Sequence, residues 1–395
     1  MTGGTVEPGY ERVRDAFADA QAKDEGGAQL CVYRHGKRVV DIWAGMDKAN
    51  NRAFTADTLM VLMSCTKAAT AVCAHILAQR GFIDYDAPVA RYWPEFAQAG
   101  KEKITVRDIL AHRAGLMGIE AEAGVMPGDI FKWEPTVNAL AKMAPLWEPG
   151  TAFFYHFTTY GFLVGEVIRR VSGKTVGQFF AAEIAKPLGI DMWIGLPEEQ
   201  EDRFAPFIPP ERYLNEAQWR ALLGGLGIDL DARFTKTLLH TFISTEISIP
   251  MINTRAGRAA ELPAGNGIAN ARALAKMYAA CIGEIDGVRL LRPETMEAAR
   301  KPQNIGITVP EIVKPMSGRD PQNFGLGFEL PRGAEPMLGP GSFGHAGAGG
   351  RMAFAHPESG TALAYVCTSM PWDGASGPDS RWVGWTSALR DAIGI

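Results

Sequence analysis

Ser64 and Lys67 are set three residues apart in Ser64-Cys65-Thr66-Lys67, the one S-x-x-K in the chain. Three residues is close to one helical turn, so the lysine returns to the face that carries the serine. A serine hydroxyl is a weak nucleophile until an adjacent base takes its proton, and a desolvated lysine can be that base. A helix N-terminus adds unpaired N–H groups and partial positive charge, both suited to developing negative charge. The same four residues could also be a helix cap followed by a solvated lysine. The approach argues otherwise. Leu59, Met60, Val61, Leu62 and Met63 are all apolar, so the serine emerges from a segment expected to be buried, which is unusual for a surface cap.

The elements that must position this pair can be read in outline. Residues 64–80 lack Pro and Gly, are rich in good helix formers, and stop at Gly81. An amphipathic helix is expected over 10–24, with Tyr10, Val13 and Phe17 on its inner face. Strands at 29–33 and 39–43 flank the turn Arg34-His35-Gly36-Lys37, a hairpin signal. Helical patterns follow from Thr105 to before Gly115 and over 159–171, 176–186 and 268–283. The chain closes with β-like runs at 324–330, 350–356 and 361–368 and a helix over 380–393. Strands at both ends with helices between them predict an α/β (α+β) protein. Residues 1–80 and 285–395 would share one sheet domain. Residues 81–284 would form a helix-rich domain, with 198–262 as a pocket-forming insertion. A serine at that junction would sit in a cleft.

Composition narrows the function classes. The 395 residues suit one large domain or two intimate ones, and 47% hydrophobic with 21% charged is ordinary for a globular chain. A net charge of −4 gives no nucleic-acid footprint. No apolar run is long enough to suggest a membrane span, and no secretory signal is visible at the start, so a cytoplasmic location is expected. The five cysteines, at 31, 65, 73, 281 and 367, lack C-x-x-C spacing, and the histidines lack H-E-x-x-H. Neither a disulfide framework nor a metal or other cofactor is expected. Cys65 reads as a small buried residue. Gly339 to Gly344 fits G-x-G-x-x-G only formally, because it leads into a strand-like run rather than a helix.

Beyond the pair, the chain resembles the serine hydrolases of the class C β-lactamase and penicillin-binding protein superfamily. The resemblance is strongest to the family VIII carboxylesterases. It is carried by Ile104–Leu116 (ITVRDILAHRAGL), by Trp147-Glu148-Pro149-Gly150 with the run 155–171, and by Phe324–Phe328 (FGLGF) with Phe343–Gly350 (FGHAGAGG). The resemblance implies a β-lactamase-like fold, an antiparallel sheet flanked by helices beside a helical domain. It makes Ser64 the nucleophile, Lys67 its basic partner and Tyr155 the second base, with Tyr160 as competitor for that last role. It places the oxyanion hole at the backbone N–H groups of Ser64 and Ala348. His345, Gly347, His156 and Phe157 fall at substrate-binding positions. His156 also reads as a structural histidine, and His75 and His112 read as structural.

Two departures shape the expected activity. The family's Y-x-N is Tyr155-His156-Phe157, so the amide of the third position is gone. The lysine of K-T-G is replaced by His345, which is mostly neutral near pH 7. Arg351 could replace that cation or could be a solvated strand residue. Loss of both polar anchors favours uncharged substrates. The expected function is therefore a carboxylesterase acting on small short-chain acyl esters through a Ser64 acyl-enzyme. The alternatives are a β-lactamase, a D-amino-acid peptidase or amidase, or an acyltransferase on the same scaffold, and then a non-catalytic sensor. The expected partner is a small-molecule ester, not nucleic acid or membrane, and a homo-oligomer is left open.

Overall fold

The computed structural model describes residues 2–210, 213–316, 322–371 and 377–395. Both ends of the chain build one antiparallel sheet. Its strands are β1 (Gly3–Val6), β2 (Gly27–Arg34), β3 (Lys37–Asp47) and, after the intervening chain, β8 (Phe343–Gly347), β9 (Arg351–His356) and β10 (Thr361–Cys367). The order is β1-β3-β2-β10-β9-β8, with β4 (Arg52–Ala53) paired to the end of β3. The β2–β3 turn is the expected one. His35 (φ 46°) and Gly36 (φ 80°) both take positive φ, which matches the twist of a two-residue hairpin. The β2–β10 pairing, with Val32 opposite Leu363, joins the N-terminal half of the sheet to the C-terminal half.

Alternation along the strands explains the layers. Leu30, Val32, Ile42, Phe354, Leu363 and Tyr365 face Val13, Phe17, Trp382, Trp385 and Leu389, on helices Glu11–Gln21 and Ser380–Ile393. The opposite face carries small residues, Ala353, Ala355, Ala362 and Ala364, which let helices approach closely. Helix Ala271–Ile282 packs there, with Ala273, Ala275, Ala279 and Ala280 among its buried residues. A division at residue 284 therefore cuts this helix from the sheet it covers. Its alanine face matches the alanine face of β9 and β10, and it groups with the sheet.

The rest of 81–284 is mainly helical, including Trp133–Lys142, Thr159–Ser172, Glu216–Gly225 and Arg233–Ser248. A second, three-stranded sheet ties it to the nucleophile segment: β5 (Met60–Val61) pairs with β7 (Ile268–Ala269), which also pairs with β6 (Met192–Trp193). The β-like run at 324–330 is not a strand. Gly327 (φ 80°) turns the chain, and Gly325 lies so close to Ala299 that a Cβ would meet its carbonyl at 2.2 Å. Only isolated bridges remain, one of them between Glu329 and Gly344. Among the described residues no helix is long and apolar enough to cross a membrane, and no cluster of side chains could hold a metal ion.

Candidate active site

Leu59 to Met63 are buried, as their apolar run requires, and deliver Ser64 to the start of helix Cys65–Gln79. Leu62 N–H donates to Gly267 O at 2.8 Å, and Gly267 N–H donates to Thr66 Oγ1 at 2.9 Å. A Cβ at Gly267 would meet that hydroxyl at 2.8 Å, so glycine is required for the approach. Met63 takes φ 48°, an uncommon conformation for an unbranched L-residue, and so the chain turns sharply into the serine. Ser64 is the N-cap residue, yet its side chain makes no capping bond. The hydroxyl is free for other partners and is partly exposed.

Lys67 reaches that hydroxyl, with Nζ 3.2 Å from Ser64 Oγ, and donates to Ala264 O at 2.9 Å. Burial pushes its pKa down to about 7, against an opposing pull from Glu329. A lysine in this state is divided between ammonium and free amine near neutral pH, and the free amine can accept a proton.

Tyr155 stands over the pair, mostly buried with an edge open to solvent, its ring centroid 4.9 Å from Lys67 Nζ. Burial and Glu329 push the phenol well above its ordinary value, and the neighbouring Ser64 hydroxyl works in the opposite direction. Tyr155 is therefore a protonated phenol at neutral pH. Tyr160, its competitor, is fully buried on helix Thr159–Ser172 and does not join the pair.

Two histidines hold the Tyr155 loop. His112 (φ 59°) lies between the Tyr155 and Tyr160 rings, at 4.8 and 5.0 Å, and its Nδ1 accepts the His156 N–H at 3.0 Å. His156 Nδ1 donates to Phe154 O at 2.7 Å, and Nε2 accepts the Leu116 N–H at 3.2 Å. Both rings are buried and shifted down by that burial, His156 to about 4. They are neutral braces. The substrate-binding expectation for His156 is thereby corrected, because both ring nitrogens are spent on backbone.

The glycine-rich strand arrives against the nucleophile turn. A Cβ on Gly347 would stand 2.5 Å from Leu62 O and 3.3 Å from Met63 Cβ, so Gly347 serves close approach. Cys65 Sγ donates to His345 O at 3.1 Å, a packing role. The next residue, Ala348, is exposed. Among the described residues, neither the Ser64 nor the Ala348 N–H donates to an internal acceptor. Two unspent N–H groups on abutting segments can bind a developing oxyanion.

His345 does not reach the open site. Its ring is buried beside Tyr155 (centroids 6.1 Å apart), and Nδ1 donates to Ala346 O at 2.6 Å. Burial and nearby Lys67 push it down to about 3, so it carries no charge for a substrate carboxylate. Its substrate-contact expectation is corrected to a neutral buried ring. Arg351 is fully buried too, behind the turn, so it is neither an anchor in the cleft nor a solvated residue. Phe157 is half-buried, edge-on to Tyr155 at 5.2 Å and to Phe242 at 5.5 Å. Trp219 stacks beyond Phe242 at 4.4 Å, so the 198–262 segment continues an aromatic wall from Tyr155.

Glu329 is a participant the sequence reading missed. It is buried, its Oε2 accepts the Ala346 N–H at 2.6 Å and lies 3.5 Å from His345 Nδ1, and burial raises its pKa to about 7. Its one signal was a lone carboxylate inside the apolar run FGLGFEL, which a strand reading treats as an outward-facing position.

A family model described as Beta-lactamase matches residues 13–383. The chain belongs to the beta-lactamase family. It is 35% identical over 371 residues to the esterase/beta-lactamase LipL of Mycobacterium tuberculosis, covering 92% of this chain and 82% of that one. Among solved structures, a family VIII carboxylesterase superposes with a TM-score of 0.82 at 31% identity, over 99% of this chain and all of that one. A penicillin-binding protein homologue from Caulobacter crescentus gives 0.80 at 34% identity, again over 99% of this chain and 100% of the other. The family and its β-lactamase-like fold agree with the resemblance read from the motifs, and the protein is a serine hydrolase.

Proposed function

We propose that this protein is a carboxylesterase that hydrolyses small short-chain acyl esters through an acyl-enzyme on Ser64. The observation that carries the reading is the 3.2 Å approach of a lysine held near neutrality to a serine hydroxyl left uncapped at a helix start. In the acylation step the Lys67 amine takes the Ser64 proton while Oγ bonds to the ester carbonyl carbon. The oxyanion is held by the Ser64 and Ala348 N–H groups. Collapse breaks the carbon–alkoxide bond. Tyr155 gives its phenolic proton to the leaving oxygen and recovers one from the Lys67 ammonium. Water then attacks the acyl carbon by the same relay and Ser64 regains its proton. Tyr155 is thus a proton relay here rather than the second base of the sequence reading, because burial keeps it a phenol.

The preference for uncharged esters is supported by Phe157 and by the neutral, buried His345 at the two positions that would otherwise present polar anchors. Relatives named esterases, LipL and EstB of Burkholderia gladioli, support the same class. The name of the first also makes a β-lactam the natural competitor substrate. Turnover of p-nitrophenyl acetate and butyrate is measured beside nitrocefin. The reading predicts ester turnover well above nitrocefin turnover; strong nitrocefin hydrolysis without ester cleavage would reject it.

A further inference from the structure

The turn that carries Ala348 is held from behind by its carbonyls. Gly347 O accepts the Gly350 N–H at 3.1 Å, which points the opposite edge of that peptide, the Ala348 N–H, away from the turn. The next three carbonyls each receive a side-chain donor from the interior. Ala348 O accepts Arg351 Nη1 at 2.7 Å, Gly349 O accepts Arg381 Nη2 at 2.6 Å, and Gly350 O accepts Trp382 Nε1 at 2.8 Å. Gly349 (φ 78°) and Gly350 (φ 97°) take the left-handed conformations this arrangement needs.

The two arginines differ in a telling way. Arg381 is paired with Asp379 and Asp24, as a buried cation normally is. Arg351 is fully buried and, among the described residues, has no carboxylate within ion-pair distance. Its partners are two carbonyls. Nε donates to Val61 O at 3.2 Å while Nη1 holds Ala348 O. Val61 is three residues before Ser64. A buried cation without a counter-ion is expensive, and a methionine or leucine would fill the same space. What arginine adds is a rigid planar fork whose separate N–H groups reach two backbone segments in a fixed geometry, where a lysine offers one rotatable point charge.

We propose that Arg351 is a positioning residue for the oxyanion hole, fixing the separation of the Ser64 and Ala348 N–H groups by clamping Val61 O to Ala348 O. This rests on the Ser64 acyl-enzyme reading above. Without the clamp the turn keeps its bonds from Arg381 and Trp382 but loses the hydrogen-bonded bridge from Ala348 O to Val61 O. The loss falls on the tetrahedral state, where the oxyanion needs both donors, and not on ground-state binding.

The test compares Arg351→Lys and Arg351→Met with the parent protein. It measures kcat and KM for p-nitrophenyl acetate, inhibition by an alkyl trifluoromethyl ketone, and thermal melting. Ser64 Oγ adds to the ketone carbon, its proton passes to Lys67, and the resulting oxyanion occupies the hole. The expected result is a fall in kcat on the order of 100-fold. KM should stay within about threefold, and ketone affinity should weaken in parallel with kcat. Arg351→Lys retains the charge and most of the volume, so it carries the test if the methionine variant does not fold. A variant that melts lower with parental kcat and ketone affinity overturns the proposal, leaving Arg351 a purely structural brace. Ser64→Ala is run beside them. If it retains turnover, the acyl-enzyme reading fails; if it is inactive while the Arg351 variants are not impaired, only the clamp fails.

Discussion

The two walls of the site are built by different means. The wall behind Ser64 is laced by directional bonds: Leu62 to Gly267, Gly267 to Thr66, Thr70 to Pro263, Lys67 to Ala264, and Arg351 to Val61 and Ala348. The facing wall, Phe157, Phe242 and Trp219, is held mainly by ring contacts, with a single side-chain bond from Trp219 Nε1 to Glu246 Oε1 at 2.9 Å, and its helices leave Leu222 and Ile247 exposed. Hydrogen bonds fix position within tenths of an ångström, whereas apolar faces can slide and repack. In the proposed mechanism, chemistry that needs two N–H groups, an amine and a phenol in register belongs to the first wall, and discrimination among substrates, which tolerates graded change, is assigned to the second.

Changes to the laced wall should therefore act on kcat, and changes to the aromatic wall on selectivity. Ser64→Ala has the largest expected effect, loss of ester turnover by about 10⁴-fold or more with covalent labelling by a fluorophosphonate abolished. Tyr155→Phe should lower kcat by roughly 10²- to 10³-fold, without change in melting temperature beyond a few degrees. Unchanged activity would mean that Lys67 alone returns the proton.

The pH profile probes the same wall. Burial lowers Lys67 to about 7, and only the free amine accepts the serine proton, so kcat/KM should rise with pH and level off above that value. Glu329 pulls the lysine upward, so Glu329→Gln should move the rising limb to lower pH. A limb that moves upward instead would mean the carboxyl acts through the β8 backbone rather than through charge. The smallest effect is expected across the cleft. Phe242→Ala should change kcat for p-nitrophenyl acetate by only a few-fold while raising the hexanoate-to-acetate ratio of kcat/KM about tenfold. A uniform loss on both esters would show that the ring supports Tyr155 instead.

The contrast also explains what could be read from sequence. Helix propensity with a stop at Gly81 places the helix expected over 64–80, and an apolar face places the one expected over 159–171, each close to its observed span; the helix expected over 380–393 matches its observed span. The approach to Ser64 was legible because five consecutive apolar residues have few places to go but the interior. Orientation was not legible. His156 and Phe157 are neighbours, yet one ring turns inward to two backbone groups and the other faces the site. Glu329 and Arg351 lie in runs that read as strand, where alternation would put a charged residue in solvent. Both are instead buried against the backbone of the glycine-rich hairpin, a tertiary demand that local pattern does not contain.

The central claim is that Ser64, activated by Lys67, carries the acyl group. Rapid mixing with p-nitrophenyl acetate, acid quench and peptide mass spectrometry tests it directly. The account predicts one added acetyl group on the peptide containing Ser64, accumulating within the burst of p-nitrophenol and absent from Ser64→Ala. Turnover with no acetyl on that peptide, or an acetyl group on another side chain that forms and decays at the catalytic rate, would contradict it.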